Sequence, residues 1–364
     1  MIKLDFDKLR SKPFTFKTPE KEILADDFEK LRLQNKLLVI DARTSKEFDK
    51  FRILHSYNFP IENNKEREII GTLFKEKNRI TAIEKGWDLL IPRIDKYLDE
   101  IDEFLKQNLK NRKLVVYCSR GGLRSGILSN LLELLGYEPH RLIGGFKAYK
   151  HVLTKYLTEE VEKYKGKFLI IEGLTGTRKT ELLQKSKLPF LDLEGCAQHK
   201  ASVFGDVGLT PNSQKMFVAK LYEQFLELKN HKLILVEGEA NRIGNVFVPL
   251  VIWDKMQKAK RITVTASVKT RVKATIKDYC NTEFKVNQII EKLGKLSNYI
   301  GQNKRQELTT QFKNNEFQPA IQWLLTEYYD KKYRFANNKN KISICTDDLD
   351  VAIKELNEVY EKFN

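Results

Sequence analysis

The apolar positions fall into short unbroken runs, separated by stretches where they recur every three or four residues. Lys36–Arg43 reads Lys-Leu-Leu-Val-Ile-Asp-Ala-Arg, and Val115-Val116-Tyr117 leads into Cys118. Phe168–Glu172, Leu233–Glu237 and Arg261–Ala266 have the same character. Such runs, apolar throughout rather than alternating, predict strands covered on both faces. Between them, Ile127, Leu128, Leu131, Leu132 and Leu135 share a helical face that starts at Ser125. So do Ile289, Ile290, Leu293, Leu296 and Ile300, and later Leu349, Ala352, Ile353, Leu356, Val359, Tyr360 and Phe363. Helices are further predicted around Lys21–Leu33, after a Thr44 or Ser45 cap, and through Ile101–Leu109, with a short proline-closed strand at Tyr57–Pro60. Strands alternating with helices predict an α/β protein with parallel sheets. Four segments are expected: a first α/β domain over 1–155, a linker helix over 156–166, a second α/β domain over 167–270, and a basic helical region over 271–364.

Composition narrows the class. The chain has 364 residues, enough for two cores, and 41% are hydrophobic. Its four cysteines (118, 196, 280 and 345) lack CxxC spacing, so neither a disulfide framework nor a zinc site is expected, and no metal ligands are assigned. The N-terminal stretch has no apolar signal region and no run is long enough to span a membrane, which leads to the expectation of a cytoplasmic protein. Net charge is +16, and between Lys255 and Lys341 there are 19 Lys+Arg against 7 Asp+Glu. Lysine-rich composition alone could produce this. A local surplus interleaved with Tyr279, Tyr299, Trp323, Tyr328, Tyr329 and Tyr333 is also what a polyanion-binding surface requires.

Two loops carry candidate chemistry. After the strand at 115–117 come Cys118, Ser119, Arg120, Gly121, Gly122, Leu123, Arg124 and Ser125. A strand–loop–helix turn of this kind surrounds a sulfur with backbone N–H groups at a helix N-terminus. Those dipoles and Arg124 favour a thiolate, and the same donors suit an oxyanion. A buried structural cysteine is the alternative, but adjacent glycines and arginines fill a core poorly. The second loop, Gly173-Leu-Thr-Gly-Thr-Arg-Lys-Thr180, follows a strand and opens a helix, the context of a phosphate-binding P-loop. Gly173, Thr175, Gly176, Thr177, Lys179 and Thr180 are its candidate diphosphate ligands. Arg178 stands where a glycine is usual; a left-handed residue with a Cβ costs ~1–2 kcal/mol there, so either the loop is distorted or Arg178 adds a guanidinium. Glu237 and Glu239, ending a later strand, suit a second acidic motif that orders magnesium or water. For Asp41, Arg43 and Glu47, mutual pairing that fixes a loop is expected rather than catalysis.

With both loops in view, the chain resembles the tRNA 2-selenouridine synthases, a rhodanese-like domain fused to a P-loop domain. The resemblance spans about Leu38 to Gly244. It is carried by Asp41–Phe48, Glu66–Lys75, Tyr117–Gly126, Gly144–Tyr149, Gly173–Thr177, Asp192–Gly195 with His199, and Arg242–Gly244. Ser119, Phe51–Ser56 and Arg178 depart from the family pattern. The resemblance implies a tRNA partner carrying wobble 2-thiouridine, with geranyl diphosphate and selenophosphate as co-substrates. The sulfur is first geranylated, and selenium then replaces the S-geranyl group. In that picture Cys118 is the nucleophile or selenium carrier, and Arg120, Gly121, Gly122, Arg124 and Ser125 hold the selenophosphate anion. Magnesium at the diphosphate and a selenophosphate-producing partner enzyme stay open. Three other functions compete. The Cys-x5-Arg-Ser spacing also occurs in cysteine-dependent phosphatases, a rhodanese-type enzyme could pass sulfur to tRNA, and a non-catalytic tRNA-binding protein could retain both loops as relics.

Overall fold

The apolar runs become two separate parallel sheets. The computed structural model describes residues 21–332 and 342–364, so Tyr333 and the N-terminal stretch lie outside it. The chain divides into two compact units, Met1–Tyr156 and Leu157–Asn364.

The first unit runs β1 (Glu22–Ile23), α1 (Ala25–Leu33), β2 (Leu37–Asp41), α2 (Ser45–Lys50), β3 (Tyr57–Asn58), α3 (Asn64–Glu76), α4 (Arg79–Leu90), α5 (Ile94–Asn108), β4 (Lys113–Tyr117), α6 (Leu123–Leu134), β5 (His140–Leu142) and α7 (Gly145–Lys163). Its strands pair in parallel in the order β1-β5-β4-β2-β3. Every residue of β2, and β4 from Leu114 onward, is buried, as unbroken apolar runs demand. Leu38, Ile40, Leu114 and Val116 pack under Ile101, Leu105, Leu128 and Leu132. Three expectations are corrected here. The helix expected from Lys21 begins at Ala25, because Glu22 and Ile23 pair with Arg141 and Leu142 as an edge strand. The helix expected from Ser125 begins at Leu123, with Gly122 at its N-cap. No separate linker helix stands at 156–166, since α7 is continuous from Gly145 to Lys163.

The second unit holds β6 (Lys167–Gly173), α8 (Lys179–Ser186), β7 (Phe190–Leu191), α9 (Gln214–Leu228), β8 (Leu233–Glu237), a hairpin of β9 (Arg242–Ile243) and β10 (Val246–Phe247), α10 (Leu250–Lys258) and β11 (Lys260–Thr265). A helical cluster follows: α11 (Val268–Tyr279), α12 (Glu283–Leu293), α13 (Gln302–Lys313), α14 (Phe317–Trp323) and a π-helical turn, Leu324–Tyr329. The basic helical region expected over 271–364 ends earlier than its sequence suggests. β12 (Ser343–Cys345) joins the sheet beside β11, and α15 (Leu349–Phe363) packs on its face, giving the order β12-β11-β6-β8-β7. The apolar stripes of α12 and α15 are core, as their periodicity predicts: Ile289 and Leu293 bury with Phe312 and Leu325, and Leu356 and Tyr360 with Leu169 and Leu235.

Candidate active site

In parallel α/β sheets the loops beyond the C-terminal strand ends gather at one edge, so ligands bind there. Both candidate loops obey this, one leaving β4 and the other β6.

In the first unit, Cys118 directly follows β4 and is 3% exposed, on the core side of its loop. Its Sγ lies 3.2 Å from Oγ of the buried Ser125, whose hydroxyl donates to the carbonyl of Gly122. The N–H groups of Gly121, Gly122, Leu123, Arg124 and Ser125 donate to no protein acceptor among the described residues, leaving a set of free donors at the start of α6. Gly121, at φ +67, is required by close packing: a Cβ there would lie 2.7 Å from the Leu142 carbonyl and 2.9 Å from the Gly144 nitrogen. Gly145 admits none either, because it would strike the Cys118 carbonyl. The glycine pair at 144–145 therefore braces the cysteine loop from beneath, with the Phe146 and Lys147 amides bonded to the carbonyls of Cys118 and Ser119.

Arg124 is not free to face an anion alone. Its guanidinium bonds Glu47 at 2.5 Å and Ser119 Oγ at 3.1 Å, and pairs with Glu62 at 3.2 Å. Burial raises the Glu47 carboxyl, but Arg124, the Ser119 hydroxyl and the Thr44 N–H outweigh it and hold Glu47 at about 2. Burial pushes Glu62 the other way, above the ordinary carboxylate range, against the pull of Arg124. The expected Asp41–Arg43–Glu47 group is thus split. Arg43 pairs with Asp41 at 2.6 Å in full burial and lies over the Phe51, Tyr117 and Phe146 rings, whereas Glu47 serves the cysteine loop. Arg120 is exposed at the rim.

In the second unit Arg178, standing where the P-loop pattern has a glycine, takes the left-handed backbone at φ 60 and caps α8. Its guanidinium turns aside to Glu181 (2.8 Å) and the Thr346 carbonyl (3.2 Å). Gly173 admits no Cβ because it abuts the Val264 carbonyl, and Gly176 is left-handed at φ +81. Thr177 donates to the Leu174 carbonyl, and Thr346 braces the Thr177 carbonyl at 2.8 Å. The amides of Gly176, Arg178, Lys179 and Thr180 have no protein acceptor among the described residues. Lys179 Nζ donates to the Gly173 carbonyl at 2.9 Å, so its charge stays over the loop.

Thr180 donates to Glu237 Oε1 at 2.6 Å, which joins the P-loop to the acidic strand end β8. Glu237 is fully buried, its Oε2 has no partner, and burial reinforced by Glu239 pushes its pKa up to about 7. Burial, then Glu237 and Glu239, also raise Glu194 well above the ordinary range. Sequence reasoning assigned no role to Glu194, which stands 43 positions before its partner Glu237. Only the fold makes them neighbours.

The P-loop opens into a cleft of about 1040 Å3 lined by Lys179, Thr180, Glu194, His199, Glu239, Tyr279, Tyr328, Tyr329 and a series of lysines. A narrow apolar recess of about 20 Å3, formed by Phe204, Ile289, Ile321, Leu324 and Leu325, shares Thr175, Tyr279 and Tyr329 with its wall. Arg271, 2% exposed and not anticipated from sequence, donates to the Thr175 carbonyl at 2.9 Å and grips Asp330 through two bonds of 2.9 and 2.6 Å.

A parallel-sheet domain with a braced cysteine loop, followed by a P-loop α/β domain with a helical cluster, defines a rhodanese-like protein fused to an AAA-class domain. Residues 24–151 match the rhodanese-like domain, and residues 166–362 match the tRNA 2-selenouridine synthase AAA domain. The chain belongs to the tRNA 2-selenouridine synthase family. Relatives bearing that name include a protein of Hydrogenovibrio crunogenus, 28% identical over 88% of this chain and 94% of its own. One from Shewanella frigidimarina is 29% identical over 88% and 93% of the two chains. Another from Nitrosomonas eutropha is 31% identical over 66% and 62%. Among the described residues no helix is long and apolar enough to cross a membrane.

Proposed function

We propose that this chain is a tRNA 2-selenouridine synthase. It exchanges the sulfur of wobble 2-thiouridine in tRNA for selenium from selenophosphate, through an S-geranylated nucleoside. The observation that carries this reading is the P-loop cleft of a unit that matches the synthases' own AAA domain, far larger than a diphosphate needs and walled by lysines and tyrosines.

In the first stage, free P-loop amides and Lys179 stabilise the charge that develops on a departing diphosphate. The tyrosines offer stacking faces to a base, and the lysines meet RNA phosphates. The apolar recess beside Thr175 suits a hydrocarbon chain rather than a nucleotide, although side chains must part to admit one. The paired Thr180 hydroxyl and Glu237, with its unpartnered oxygen, fit a magnesium ion; they would hold it, and it would supply charge neutralisation at the diphosphate.

In the second stage, the α6 amides bind the selenophosphate anion while Glu47 and Glu62 fix Arg124 beside it. Cys118 is the nucleophile: its thiolate forms an S–P bond with selenophosphate as the P–Se bond breaks, and the selenide released adds at C2 of the nucleoside and expels the S-geranyl group as geranylthiolate. Because Cys118 is 3% exposed, the Arg120–Gly122 rim must open for it to react. A selenophosphate-producing enzyme is the natural source of so reactive a donor.

Mass spectrometry of nucleosides from thiolated tRNA tests the reading. Geranyl diphosphate alone should yield the S-geranyl nucleoside, selenophosphate alone should change nothing, and both together should yield 2-selenouridine. Selenium incorporation at full rate without geranyl diphosphate would overturn the two-stage order. Cys118→Ala should abolish selenation while alkylation and tRNA affinity persist, and a variant that still selenates would remove the nucleophile role.

A further inference from the structure

Alkylation at sulfur leaves a proton to be placed. As the thiocarbonyl sulfur of 2-thiouridine attacks C1 of the geranyl group, an S–C bond forms. The C1–O bond breaks, and its electron pair leaves with the diphosphate. The N3–H bond then breaks, its electrons close a C2=N3 double bond, and the proton needs an acceptor. We infer that His199 in the wall of the P-loop cleft accepts that proton, an inference that rests on the cleft being the alkylation site.

His199 lines the same cleft as Lys179 and Thr180. It follows the short helix Leu193–Ala197, and its backbone N–H is bonded to the Glu194 carbonyl at 3.1 Å. Two glycines from different segments close on the ring. A Cβ on Gly205 would stand 2.6 Å from Cε1 and Nδ1, and one on Gly244, itself at φ +56, would stand 2.5 Å from Cδ2 and 2.7 Å from Nε2. No larger residue fits at either position, so the imidazole is held in a slot whose walls come from chain segments 39 positions apart. Neither ring nitrogen has a hydrogen-bond partner among the described residues, and Nδ1 is buried. A histidine that only supports a fold normally satisfies its nitrogens. This one is fixed in place and left unpaired.

The charged groups around it leave it neutral. Burial lowers its pKa, Asp206 opposes this, and Lys292 of α12 reinforces it; Asp206 and Lys292 pair with each other at 2.6 Å. Arg242, two residues before Gly244, folds back on the Gly244 carbonyl and Asn245. Glu194 on the preceding helix has its pKa raised well above the ordinary range. A neutral imidazole can take a proton, whereas Glu237 sits under the diphosphate end, bonded to Thr180.

Single-turnover alkylation of thiolated tRNA by geranyl diphosphate, followed from about pH 5 to 8, tests this. The wild-type rate should rise with pH to a plateau through one ionisation below the ordinary imidazole value. His199→Gln should lose about 10²-fold or more in rate together with that pH dependence, at unchanged tRNA affinity. His199→Ala should regain part of the rate when free imidazole is added. A flat wild-type profile overturns the proposal even if both variants fail to fold, and so does His199→Gln working at the wild-type rate. A wild-type protein that alkylates at no pH overturns the two-stage reading itself, a result distinct from loss of the histidine's role alone.

Discussion

Glu47 closes a capping box with Thr44, accepts from the Ser119 hydroxyl and pairs with Arg124, all through one carboxylate. Its folded pKa of about 2 lies below the ordinary glutamate value of 4.5, so its stabilisation is complete above pH ~4.5 and is lost as pH falls towards 2. The shift corresponds to about 3 kcal/mol at most. With the side chain 26% exposed, roughly 2 kcal/mol is the better expectation. Glu47→Gln should cost the protein that much at neutral pH and flatten its acid limb. Urea unfolding at several pH values reads both, and an unchanged acid limb would show that the cluster contributes nothing. Sequence placed Glu47 with Asp41 and Arg43 because near neighbours are all that a linear reading can pair. Its partner lies 77 residues on, brought close by the parallel pairing of β2 with β4. Cys118 and Lys179 were legible for the opposite reason, since the glycines, strand and helix that define each loop are contiguous in the chain. His199 falls between these cases. Its segment carries part of the family resemblance, but the glycines that hold the ring come from elsewhere in the chain.

The P-loop's missing glycine turns on opposing terms of similar size. Left-handed backbone at Arg178 costs ~1–2 kcal/mol. Glycine in its place would remove that strain but add roughly 0.5–1 kcal/mol of unfolded-state entropy and forfeit the Glu181 pair, worth a few tenths. Arg178→Gly should therefore shift stability by less than about 1 kcal/mol, and a larger change in thermal unfolding would mean that the Thr346 contact dominates. A stronger constraint comes from α11. Arg271 ties the Thr175 carbonyl to Asp330 just after the π-helical turn, so the P-loop and the helical cluster share one buried guanidinium. Arg271→Ala leaves a carboxylate and a carbonyl without their partner. Because Asp330 keeps 26% of its side chain exposed, about 2–3 kcal/mol is expected rather than the full loss of a sealed pair. Calorimetry should also find weaker binding of inorganic diphosphate, and unaltered binding would show that the loop holds its shape without the brace. The strands β2, β4, β6, β8 and β11 could be read from unbroken apolar runs, and α12 and α15 from hydrophobic period. β1 could not, because a two-residue edge strand carries no periodicity and is specified by its partner β5. The return of β12 to the sheet was hidden by the basic, helical context before it.

At the scale of the whole molecule, the charge of +16 is a statement about association with polyanions rather than about folding. The cleft wall shows which part of that charge is available. Lys200 is paired with Asp278 and Lys292 with Asp206, whereas Lys295 and Lys332 have no carboxylate partner among the described residues. Lys332 lies over the rings of Tyr299 and Tyr328, which keeps its ammonium at the surface beside an aromatic face. Binding of tRNA should therefore weaken steeply with salt, with a log–log slope set by the number of phosphates neutralised. Replacing Lys295 and Lys332 together by glutamine should reduce that slope by about 2, and replacing Lys200 by less than a single unit, because its charge is already spent on Asp278. Fluorescence titrations across a series of potassium chloride concentrations measure these slopes. Equal effects from paired and unpaired lysines would show that tRNA reads the overall field of the protein. Unequal effects in the expected order would locate the RNA backbone along the cleft that holds the P-loop.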